Sequence, residues 1–223
     1  MIHTIVQNKH LLTHPFYQLW LDGKLPKQAL QKYSEQYFQL VEHLPRFIST
    51  LHTNCDDVVI RQQLIQNLME EELGHGNGNV AHTELWLDFA EELGVERNKV
   101  PTTKLLEATK NAVQTIKQAC ESSIEEGAAA LYAYESQVPE ISEYKIKGLQ
   151  EFYNINSEKA LRFFEVHKIS DKKHRAVWQA MVNRFSNSAT QLAKAEQAAI
   201  DTTDALWKMF DEMHATFVPE MVC

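Results

Sequence analysis

The run His167-x-x-x-Asp171-x-x-His174 sets two imidazoles and a carboxylate at helical spacing. At about 100° per residue, all three turn to one face of a helix. Phe164, Trp178, Met181 and Phe185 share that face, while Lys168, Lys172, Lys173 and Arg175 point elsewhere. Ligand-type side chains therefore stand where a helix should be apolar. Burying a carboxylate is costly unless a partner or a metal compensates it. A lone buried histidine or glutamate is usually a satisfied core residue, but three on one stripe point to metal chemistry.

Three other segments repeat the pattern. Glu135 shares a stripe with Ile124, Ala128, Leu131 and Val138, with Tyr132 bordering it. His82 lies with Leu85, Trp86, Phe89 and Leu93. Glu71 follows Leu64 and Leu68, although spacing leaves its neighbours Glu70 and Glu72 equally open. His75, among glycines, suits a surface role. Three carboxylates and three neutral imidazoles come close to neutrality with two divalent metals and one hydroxide or water. Mixed nitrogen and oxygen ligation without thiolate suits iron, manganese or zinc. Helical bundles hold dinuclear carboxylate sites in this way.

The elements that must position these groups are helices. Apolar residues recur at three and four, and β-branched alternation is nearly absent. The pattern predicts helices over about 7–22, 26–53, 56–73, 79–94, 102–120, 122–138, 140–153, 157–185 and 188–214. Pro26 suits a first turn, and Pro45 should kink or split its helix. Asp56 and Asp57 are N-cap candidates, Gly94 a C-cap, and Pro139 a separator. The stretch Gly74-His75-Gly76-Asn77-Gly78-Asn79 must end the Glu71 helix and re-aim the chain toward His82. No linker, charge block or internal repeat interrupts the 223 residues, so one all-α domain over 1–223 is expected.

Composition narrows the function. A formal net charge of −8 argues against nucleic acid, whose phosphates need a basic footprint. No basic cluster suits an anionic membrane surface, and no apolar run approaches a bilayer span. The N-terminal residues lack the basic and apolar regions of a signal peptide. Cys55, Cys120 and Cys223 have neither disulfide nor metal spacing, which fits a reduced, cytoplasmic protein.

The chain resembles the haem-oxygenase-like helical proteins, and within them the group named for the Chlamydia protein associating with death domains. The resemblance lies in QNKHLLTHPFYQLW at 7–20, NLMEEELG at 67–74, HTELW at 82–86, AALYAYESQVPEI at 129–141, KIKGLQEFY at 145–153 and the motif at 167–174. It implies a bundle of about seven to nine helices. It further implies a dinuclear oxygenase, Fe/Fe or Mn/Fe, using O2 and an external reductant. Its ligand pattern maps onto Glu71, His82, Glu135, His167, Asp171 and His174, which selects Glu71 over its neighbours. The group is linked to making para-aminobenzoate, a folate precursor, with the protein's own tyrosine supplying the ring and a lysine implicated in the amine. The matching positions are Tyr17 and Lys145, with Tyr134 and Tyr33 as candidates for radical transfer. Taken alone, these would be core tyrosines and a solvated lysine.

Two rivals remain. Relatives on the same fold, of the quinone-cofactor (PqqC) and thiaminase (TenA) types, work without metals. The thiaminase type needs a nucleophilic cysteine, which AAALYAYE does not offer; Cys120 lies about a turn before that helix. The other rival is an interaction protein, but a death-domain partner rests on the family name alone. A homodimer is the expected assembly.

Overall fold

Apolar spacing of three and four becomes helix along nearly the whole chain. The structure, a computed structural model, describes residues 1–76 and 78–218, without the side chains of 170–172. The helices are α1 (Ile2–Asn8), α2 (Pro15–Leu21), α3 (Lys27–Asn54), α4 (Val58–Leu73) and α5 (His82–Glu92). They continue with α6 (Glu107–Ser122), α7 (Ile124–Glu135), α8 (Val138–Tyr153), α9 (Glu158–Phe185) and α10 (Ala189–Phe217). No strand occurs among the described residues.

Of the helix expected over 7–22 only α2 forms, preceded by a 3₁₀ turn at Leu11–Thr13, and α1 lies almost wholly before that range. Pro15 explains the break. It restricts the preceding residue to extended backbone, and His14 accordingly sits at φ −70° and ψ 139°. Each histidine then caps the turn it precedes: His10 Nδ1 accepts the Leu12 N–H, and His14 Nδ1 accepts that of Phe16. Pro45, expected to kink or split its helix, lies inside an uninterrupted α3. Asp57 caps α4, its Oδ1 accepting from Val59 and Ile60 at 2.9 and 3.1 Å. Gly74 ends α4 in the left-handed region at φ +63°, and Pro139 sits in the first turn of α8.

One hydrophobic cluster draws residues from all of these helices. At its centre α9 packs against α5, α7 and α8 and touches α4, so the four helices that carry the expected ligands converge. On the other side α2 lies on α8 and α10. No helix among the described residues is long and apolar enough to cross a membrane.

Candidate metal centre and lysine pocket

Three of the expected ligands come together. Glu71 from α4, His82 from α5 and His167 from α9 each offer a ligand atom within 4.8 Å of the others, all buried. His82 Nδ1 lies 2.7 Å from Glu71 Oε2. His167 donates its Nδ1–H to the Phe163 carbonyl at 2.7 Å, which fixes the ring and leaves a lone pair on Nε2 of the neutral tautomer. Phe163 also stacks on His167 with centroids 4.0 Å apart. Burial alone would raise the Glu71 carboxyl, but His82, with His167 and His174, brings it down to about 2.

A second group forms beside the first. His174 Nδ1 stands 3.7 Å from Glu135 Oε2, and Trp178 donates Nε1–H to that same oxygen at 2.6 Å. The Nε2 of His174 faces Glu70 Oε2 at 3.1 Å. Asp171 continues the backbone of α9, but its side chain is outside the described residues. Glu71, Glu135 and His167 line one cavity, so the two groups share an interior space.

The same cavity is bounded by Lys145, Tyr37 and Tyr134. Its free space is about 10 Å³, room for roughly one water molecule. Lys145 is only 4% exposed. Its Nζ meets the Tyr33 hydroxyl at 2.5 Å and lies 5.4 Å from the Tyr17 ring, 5.0 Å from that of Tyr33 and 4.9 Å from that of Tyr37. Burial pushes its pKa well below the usual lysine range. Burial likewise pushes the phenols of Tyr17, Tyr33 and Tyr134 up. The Tyr17 hydroxyl neighbours that of Tyr33 without reaching hydrogen-bond geometry.

Some participants were not visible in the stripes. Tyr37 sits between Tyr33 and Tyr134, with ring centroids 5.2 and 6.4 Å away. Lys145 reads as a solvated lysine by type, yet it shares the buried face of α8 with Ile141, Ser142 and Leu149. That stripe was the signal that could have found it. Cys120 is deeply buried in α6, does not line the cavity, and has its thiol pushed up by burial.

The donor set fits a metal ion. It is buried, mixes imidazole with carboxylate, and leaves polar atoms without hydrogen bonds among the described residues: Glu71 Oε1 and, one turn earlier on α4, both amide atoms of Asn67. Buried polar atoms of this kind normally have a partner, whether protein, water or ion.

Comparison with known proteins agrees with this chemistry. A 4-aminobenzoate synthase of Nitrosomonas europaea is 36% identical over all of this chain and 93% of its own length. Another, from Chlamydia muridarum, is 35% identical over 94% of this chain and 87% of its own length. A solved TenA homologue from Pseudomonas syringae pv. tomato superposes with a TM-score of 0.83 at 16% identity, covering 96% of this chain and 91% of that one. It shares the haem-oxygenase-like fold. The family described as iron-containing redox enzymes matches residues 31–208, from early in α3 into α10 and so through every helix that carries an expected ligand. With that match, and with full-length relatives above one-third identity, this chain belongs to the haem-oxygenase-like family of iron-containing redox enzymes.

Proposed function

We propose that this chain is an oxygen-dependent 4-aminobenzoate synthase that uses its own side chains as raw material. Glu71, His82, Glu135, His167, Asp171 and His174 would hold two metal ions, iron with iron or manganese with iron. Tyr17 supplies the aromatic ring and Lys145 the nitrogen. One observation carries the reading: a caged lysine and the carboxylate–imidazole group line the same cavity. The names of the Nitrosomonas and Chlamydia relatives support the product class.

When bound, the metals supply the redox chemistry that reduces O2, with electrons from an external reductant. The chain's own residues prepare the ground. Desolvation favours the neutral amine of Lys145, whose lone pair is the form that can bond to carbon. Tyr33 holds that nitrogen beside the Tyr17 ring. Burial keeps the proton on the Tyr17 oxygen, so oxidation of the ring removes an electron and a proton together. Tyr134, Tyr37 and Tyr33 form a run of phenols from Glu135 toward Lys145. Val41, Leu44 and Phe163 line the cavity and exclude water. Among the described residues neither buried cysteine, Cys55 or Cys120, lines the cavity, which leaves a thiaminase-type reaction there without its nucleophile. The proposal also places the protein in the cytoplasm as one domain, working as a homodimer.

The decisive experiment loads the protein with iron and manganese, reduces it, admits O2 and measures 4-aminobenzoate by mass spectrometry. Protein grown on ring-labelled tyrosine should release labelled product, at no more than one equivalent per chain. Tyr17→Phe should release none while retaining its metals. Unlabelled product, or undiminished release from Tyr17→Phe, would remove Tyr17 from the chemistry.

A further inference from the structure

Consecutive residues on a helix point about 100° apart, and on α4 this sends two adjacent carboxylates to different partners. Glu71 turns inward to His82, and both side chains of that pair are almost fully enclosed. Glu70 turns aside and meets His174 instead. Its Oε2 lies 3.1 Å from His174 Nε2, while the opposite ring nitrogen, Nδ1, lies 3.7 Å from Glu135 Oε2. The His174 ring is thus held between two carboxylates from α4 and α7, and it is almost wholly buried against a more open Glu70. Trp178, one turn further along α9, fixes Glu135 from the other side by its Nε1–H.

We propose that Glu70 is a positioning residue for the second metal. Its carboxylate accepts the Nε2–H of His174, which sets the tautomer and presents Nδ1 to the position shared with Glu135. A ligating histidine whose outer nitrogen donates to a carboxylate is held in orientation and made more basic, and loss of such a partner typically costs metal affinity. On this reading α4 serves both metal positions, Glu71 directly and Glu70 through His174. A glutamate in the last turn of α4, off the cavity lining and partly open to water, is well placed for this and poorly placed as a ligand of the enclosed group. The inference rests on the proposed metal site, and its test separates the two.

The test uses Glu70→Ala and Glu70→Gln. In metal-free protein, nitrogen-resolved NMR of the His174 ring reports which nitrogen carries the proton. Wild type and Glu70→Gln, whose amide oxygen still accepts, should show Nε2–H; Glu70→Ala should show a mixture. In titrations with ferrous or manganous ion, wild type should take up two ions per chain. Glu70→Ala should bind one of them roughly 10- to 100-fold more weakly and leave the other unchanged, with Glu70→Gln close to wild type. An unchanged tautomer and two undiminished sites in Glu70→Ala would overturn the proposal. So would equal loss in both variants with Nε2 unprotonated in wild type, because Glu70 would then be a ligand itself. If wild type binds no metal while the tautomer still follows Glu70, the metal reading fails and the pairing is only a buried contact, which also overturns the positioning role.

Discussion

Lys145 carries an amine with almost no water around it, and its titration should be visible in the stability of the whole protein. Its folded pKa is depressed by burial, so between that value and the ordinary lysine value the unfolded chain binds the extra proton. Stability therefore rises with pH across that window. Denaturant unfolding from neutral pH to about 10, where exposed tyrosines begin to ionise, should show this rise in wild type. Lys145→Met should be more stable at neutral pH and should lose that part of the slope. A slope identical in the two proteins would mean that burial does not depress the pKa of Lys145. The ligand-type residues of α5, α7 and α9 were legible because each is polar within an apolar stripe. The choice among Glu70, Glu71 and Glu72 was not legible from spacing, since α4 carries the three acids in succession and only its contacts with α5 and α9 tell them apart.

Gly148 shows how the helices hold the lysine and the tyrosine in register. It follows Lys145 by three residues on α8, and a Cβ there would stand 2.7 Å from the Trp20 ring of α2. The bare backbone lets α2 lie close, with Tyr17 one turn before Trp20. Gly148→Ala should overpack this contact, at a cost of about 1–3 kcal/mol. It should reduce 4-aminobenzoate formed per chain by more than tenfold while metal content stays the same, since the proposed ligands come from other helices. Gly74→Ala should do the reverse. It combines φ +63° with a Cβ that would overlap the Val80 carbonyl oxygen, and it sits between Glu71 and His82. A strain of about 1–3 kcal/mol is expected there, with metal content falling first, as elemental analysis would report. Capping residues such as Asp57 and the glycine at the end of α4 marked helix ends in the sequence well. The early break did not show, because 7–22 keeps helical apolar spacing while His14 and Pro15 impose an extended step. Nor does periodicity say which helices touch; that α2 meets α8 is a property of the assembled bundle.

The whole molecule gathers carboxylates, imidazoles and an amine inside a single apolar cluster. Ions that bind only the folded state stabilise it by mass action, about 2.7 kcal/mol at a hundredfold excess over Kd. For a chain of this length that is a rise of about 5–10 °C in Tm. Chelation should remove the rise, and calorimetry should show one transition with and without metal if the chain is one domain. That the bundle is all-helical was plain from the sequence, because almost nothing in it alternates as a strand does. Tyr17 is among the most deeply buried side chains, packed against Phe210 at 4.8 Å between ring centroids. A reaction that takes its ring away leaves a hole, and losing a large aromatic side chain from a core costs about 3–5 kcal/mol. A chain that has fired would thus lose much of a typical folding reserve, open more often and fall sooner to proteases. Intact and reacted protein separated by mass, then timed under limited proteolysis, would reveal the difference. The enclosed tyrosine would then make each molecule its own expiry signal: used copies are cleared by ordinary quality control, with no tag needed to mark them.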